Sequence, residues 1–136
     1  MIEYVAGLMF CEEGRFVAMV EKQKPEWMKG KYNAIGGKIE PGEFTEDAMV
    51  REFQEETGVH YKNWMETATL EGKDWRVYFY HCFADPFMCD TVEEERIIVD
   101  EVNSFLSSSK LMGNLKTIIN IALDHSIVKP VMLESY

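Results

Sequence analysis

Residues Gly37–Val59 read GKIEPGEFTEDAMVREFQEETGV and crowd Glu52, Glu55 and Glu56 together with Arg51 beside them. Pro41-Gly42 makes a turn, and a helix is expected from about Thr45 to Thr57. Thr45 is the expected N-cap, Glu46 and Asp47 suit the positive first turn, and Gly58 stands where a left-handed terminating glycine belongs. At about 100° per residue, Glu55 and Glu56 fall about 60° to one side and about 40° to the other of Glu52, so the three carboxylates share one face. Each such like-charge pair costs an isolated helix roughly 0.2–0.5 kcal/mol. Glu55 and Glu56 also lie at the negative end of the helix, which disfavours anions by about 0.3–1 kcal/mol. A solvated face would interleave lysines, yet none occurs between Ile39 and Tyr61. Arg51 is expected to balance one carboxylate at most. That leaves a hard divalent cation, Mg²⁺ or Mn²⁺, as the simplest counter-ion, with a plain solvated face as the competing reading.

Working outward, Ile2–Cys11 and Arg15–Lys22 are apolar, β-prone runs around a Glu12-Glu13-Gly14 turn, the pattern of a hairpin. A polar loop over 23–31 carries Trp27, and a short extended piece over 32–35 leads into Gly36-Gly37. Beyond the helix, strands are expected over 62–70, 75–84 and 96–102, with 85–95 as a loop ending in an acidic cluster. Leu115, Ile118, Ile119, Ala122 and Leu123 give the stretch 111–125 an amphipathic helical period, read as core. Strands, helix, strands, helix predicts an α/β (α+β) fold, a mixed sheet packed between helices.

The chain has 136 residues, 46% of them apolar, a net charge of −10 and no low-complexity tract, which predicts a single domain over 1–136. Such acidity argues against duplex nucleic acid, whose binding relies on Lys and Arg. Small anionic substrates remain compatible if a cation mediates, and acidity also serves solubility. No apolar run approaches the roughly 18 residues of a membrane span, and the N-terminus lacks a basic leader, so a cytoplasmic protein without membrane contact is expected. Cys11, Cys82 and Cys89 form no CxxC pair, which suggests reduced thiols rather than a zinc site or disulfide framework.

Gly37–Val59 also fits G-x5-E-x7-R-E-U-x-E-E-x-G-U, with U a bulky apolar residue, at every fixed position, a chance event on the order of 10⁻⁷ at ordinary residue frequencies. The segment resembles the Nudix hydrolase family. That resemblance implies an α/β/α sandwich and Mg²⁺-dependent (or Mn²⁺-dependent) hydrolysis of a nucleoside diphosphate linked to some moiety X. It implies that Glu52, Glu55, Glu56 and the Gly36 carbonyl hold the metal, and that Arg51 pairs with Glu43 to orient the helix. The general base in relatives is either the helix glutamate, here Glu52, or a glutamate on a distant loop, for which Glu93–Glu95 are available with Glu94 as the candidate. Lys38 is a candidate phosphate contact.

The segment 31–38, KYNAIGGK, resembles the lead-in of family members that clean damaged nucleoside triphosphates, with Asn33 placed to read a purine edge; a turn role for Asn is the alternative. Trp27 and Tyr78 are further candidate substrate contacts, though the strand over 75–83 alternates aromatics onto both faces as a core strand would. Asp74 stands where ADP-ribose-type members tend to have proline, and the NADH-type run SQPWPFPxS is missing. The expected substrate is a (d)NTP or an oxidised (d)NTP, cleaved to the monophosphate and pyrophosphate by a monomer or homodimer. ADP-ribose, a dinucleoside polyphosphate or an RNA 5′ end is the alternative, and a non-hydrolysing nucleotide sensor the reading from another class.

Overall fold

The computed structural model describes residues 1–135. Its strands are β1 (Ile2–Cys11), β2 (Phe16–Glu21), β3 (Tyr32–Asn33), β4 (Ile35–Lys38), β5 (Met65–Glu71), β6 (Trp75–Ala84), β7 (Arg96–Glu101) and β8 (Val131–Glu134); its helices are α1 (Thr45–Thr57), α2 (Val102–Leu106) and α3 (Leu115–Leu123). Single 3₁₀ turns lie over Glu26–Met28 and Pro86–Met88. The strands form one mixed sheet in the order β3-β2-β1-β6-β5-β8, with β4 pairing β1 and β7 pairing β2. β1 runs parallel to β6 along its whole length, from Ile2↔Trp75 to Cys11↔Ala84. Its first half also pairs antiparallel with β4, where Val5 opposes Gly37 and Ala6 opposes Gly36, and its end pairs with β2.

The central strands read as continuous apolar runs because both faces are covered. On β1, β2 and β6 the alternation divides the core in two. Leu8, Phe10, Met19 and Phe79 meet α2 and α3, whereas Val5, Met9, Val20, Tyr80 and Cys82 meet Ala48, Met49 and Phe53 of α1. Met49 and Phe53 are fully buried, each contributing about 1.5–3 kcal/mol of apolar transfer. This seats one stripe of α1 on the sheet and brings the adjoining Glu52 side chain, only 12% exposed, in with it.

Several expectations need correction. Thr45 does not cap α1: Phe44 holds the N-cap position with no side-chain bond, and the Thr45 hydroxyl pairs with the Tyr80 hydroxyl at 2.8 Å. The third helix starts at Leu115 rather than 111, because the backbone before it is drawn to the edge strand: Tyr32 N–H donates to Lys110 O and Met112 N–H to Tyr32 O. β5 begins at Met65, three residues later than expected. The five-residue α2 and the four-residue β8 were not expected at all, being too short for a periodicity to register.

Candidate active site

α1 ends as its sequence dictates. Gly58 adopts φ 80°, a left-handed conformation costly for most other residues, and donates its N–H to Gln54 O at 2.8 Å. Two other terminal carbonyls are met by the acidic loop before β7: Asp90 N–H donates to Thr57 O at 3.0 Å and Val92 N–H to Glu56 O at 3.3 Å. These bonds supply the partners a helix end requires and bring the loop alongside the last turn of α1.

On the other side α1 lies against β4. A Cβ added at Gly37 would collide with the Glu52 carboxylate, and one at Gly36 with the Val5 carbonyl. The motif glycine is therefore required by close approach of a carboxylate to the strand. The Glu52 side chain is only 12% exposed. Burial raises its carboxyl above the usual range, and the adjoining Arg51 only partly offsets this.

Arg51 does far more than balance one charge. Its Nε and Nη2 bond both Glu43 oxygens at 2.8 and 2.9 Å, its Nη1 bonds Glu52 at 2.9 Å and Glu55 at 3.2 Å, and Nη2 also donates to the Lys38 carbonyl at 3.1 Å. The fork geometry of a guanidinium makes this possible. The hydrogen bonds to Glu43 raise the already high pKa of Arg51 and lower that of Glu43. The expected Arg51–Glu43 pair is thus the centre of a larger cluster that spans the turn, the strand and the helix.

Glu56 lies beyond the reach of that cation. Its Oε2 is buried without a hydrogen-bond partner. Burial, followed by the charges of Glu52, Glu95 and Glu93, pushes its carboxyl up to about 7. An orphaned carboxylate oxygen in a nest of like charges costs free energy unless a proton or a cation meets it. Among the described residues no three His, Cys, Asp or Glu side chains converge into a ready-made metal cage, since Arg51 holds Glu52 and Glu55. The donor set nonetheless fits a hard divalent ion: all oxygen, anionic, partly water-accessible, with one member lacking any partner.

The remaining candidates are dispersed. Glu94 is 82% exposed and reaches Lys24 at 3.5 Å; Glu93 and Glu95 are the loop carboxylates whose charge acts on Glu56. Lys38 is exposed at the end of β4. Asn33 Oδ1 accepts from the Ala34 N–H at 2.9 Å, which leaves its amide hydrogens as its donors. Tyr78 is committed elsewhere: its hydroxyl donates to Glu3 at 2.8 Å and accepts from Arg76 at 3.2 Å. Trp27 is 65% exposed on its 3₁₀ turn. Sequence reasoning missed the part of Glu95, which takes Lys22 Nζ at 2.7 Å; the only prior signal was its membership in the acidic run.

Comparison with known proteins agrees with the fold. The structure superposes on that of MutT described for Aliivibrio salmonicida and Vibrio cholerae with a TM-score of 0.75 at 22% identity, covering 88% of this chain and 95% of that one. The NUDIX domain of Shewanella oneidensis NrtR, complexed with ADP ribose, gives a TM-score of 0.78 at 15% identity, covering 93% and 89%. Over 41 residues the chain is 49% identical to the NAD-capped RNA hydrolase NudC of Vibrio parahaemolyticus serotype O3:K6 (strain RIMD 2210633), a match spanning 30% of this chain and only 16% of that protein's length. No helix among the described residues is long and apolar enough to cross a membrane. The NUDIX domain model matches residues 2–111, the span that carries β1 to β7 and the whole carboxylate helix, and the chain belongs to the Nudix hydrolase family.

Proposed function

We propose that the protein is a Mg²⁺-dependent nucleotide pyrophosphohydrolase that cleaves a (d)NTP, including oxidised forms, to the monophosphate and pyrophosphate. The observation that carries this reading is the buried, partnerless Oε2 of Glu56 beside Glu52, on a helix edge pressed against Gly37. Glu52, Glu55, Glu56 and the Gly36 carbonyl would hold the metal. When bound, a divalent ion polarises phosphoryl oxygens and lowers the pKa of water.

The chain's own groups do the rest. Water oxygen bonds to phosphorus, the anhydride P–O bond breaks toward pyrophosphate, and the proton passes to the carboxylate of Glu52, whose raised pKa suits a base. Lys38 contributes a point charge to the phosphates. Asn33 offers its amide hydrogens to a base edge and Trp27 a stacking face. Arg51 holds Glu52 and Glu55 together through its Nη1.

The test is Mg²⁺-dependent turnover over NTPs, dNTPs, 8-oxo-dGTP, ADP-ribose, NAD, dinucleoside polyphosphates and 5′-capped RNA, with products separated chromatographically. Monophosphate plus pyrophosphate from a triphosphate supports the reading. Cleavage confined to ADP-ribose, NAD or a capped end removes the triphosphate assignment, and tight nucleotide binding with no cleavage makes the chain a sensor.

A further inference from the structure

The β2–β7 ladder ends at Glu21↔Arg96, and the next residue on each strand continues the connection through side chains. Glu95 Oε1 accepts from Lys22 Nζ at 2.7 Å, while its Oε2 accepts from the backbone N–H of Gln23 at 2.5 Å and of Lys24 at 3.3 Å. The Glu95 side chain is 12% exposed and that of Lys22 22%. Burial would raise this carboxyl, yet the bonds from Lys22 and Gln23 hold it below the usual range. The turn so anchored is closed at its neck by Lys22 N–H to Lys31 O at 2.8 Å and Gly30 N–H to Lys22 O at 2.7 Å.

That turn buries nothing: its 3₁₀ segment Glu26–Met28 contains no buried residue, and Trp27 projects at 65% exposure. A mostly buried carboxylate accepting three donors is a costly anchor for a segment that adds nothing to the core. On its other side Glu95 belongs to the loop that Asp90 and Val92 bind to the last turn of α1. One line of contacts therefore runs from the carboxylate helix through the acidic loop and Glu95 to the turn bearing Trp27, Lys29 and Lys31.

We infer that Glu95 is a positioning residue that hangs the Trp27 turn beside the carboxylate helix, and so sets the affinity for nucleotide. The inference rests on the nucleotide reading above. The indole offers a stacking face and the lysines a cationic rim to a nucleotide whose phosphates lie at Glu52, Glu55 and Glu56.

The test compares the full chain with Glu95→Ala, Glu95→Gln, Trp27→Ala and the Glu95→Ala/Trp27→Ala double variant. Glu95→Ala is expected to raise KM for the best triphosphate roughly tenfold, the size of one lost base-stacking contact, with kcat held within about threefold and the Mg²⁺ requirement unchanged. Trypsin cleavage after Lys29 or Lys31 should accelerate in the same variant, Glu95→Gln should recover part of both effects, and the double variant should bind no worse than Trp27→Ala. Additive losses in the double variant overturn the inference. So does an unchanged KM with normal trypsin resistance. A selective loss of Mg²⁺ affinity would make Glu95 a metal ligand instead. Should the wild type turn over no nucleotide, the hydrolase reading fails separately; equal dissociation constants for ATP and dGTP among the four variants and wild type would then overturn this one.

Discussion

Replacing Glu56 by Gln removes one negative charge from a site that, without a cation, has no partner for it, so the variant should be more stable than the wild type in EDTA. The carboxyl is pushed up to about 7 from an ordinary 4.5, mainly by burial and then by Glu52, Glu95 and Glu93. Between those values the folded chain holds a proton that the unfolded chain has released, and stability falls as pH rises through the window. At about 1.36 kcal/mol per pH unit, the full shift corresponds to roughly 3 kcal/mol by pH 8. Partial solvent access screens the interaction and reduces this to about 1–2 kcal/mol. Urea unfolding in EDTA should therefore show wild-type stability dropping by that amount more than that of Glu56→Gln from pH 5 to pH 8. For a chain of this size the variant should melt about 3–7 °C higher at pH 8. Adding Mg²⁺ should stabilise the wild type and leave the variant unmoved. A variant less stable than wild type at pH 8 without metal would refute the claim that Glu56 is an uncompensated buried charge.

Gly37→Ala should displace the Glu52 carboxylate and lower kcat by about 10²-fold, the scale of an ångström-sized misplacement of a catalytic group; circular dichroism should show the fold retained, and near-normal kcat would disprove the close-approach argument. Arg51→Lys cannot reproduce the two-pronged contact with Glu43 together with those to Glu52 and Glu55, and should cost about 1–3 kcal/mol in urea unfolding without metal. Glu94→Gln should keep kcat within about tenfold, since general-base loss typically costs 10²–10⁴-fold and Glu94 is solvated and engaged with Lys24; a larger fall would move the base from Glu52 to this loop.

The amino-acid sequence alone determines whatever depends on near neighbours along the chain. The spacing of Glu52, Glu55 and Glu56 puts them on one helix edge whatever the helix packs against, and Gly58 ends that helix through its own backbone freedom. The apolar runs of β1 and β6 announce strands buried on both faces. Distribution of charge among those carboxylates was another matter. Arg51 collects Glu43, Glu52 and Glu55 because the Pro41-Gly42 turn and β4 fold back onto α1. Glu56 is left without a partner because burial and the loop carboxylates Glu93 and Glu95 surround it. Glu95, indistinguishable from Glu94 in an acidic run, became the anchor because it lies one step past the end of a ladder whose other strand is 73 residues away. Local spacing places side chains on a face; which of them find a counter-charge depends on segments that meet only when the sheet closes.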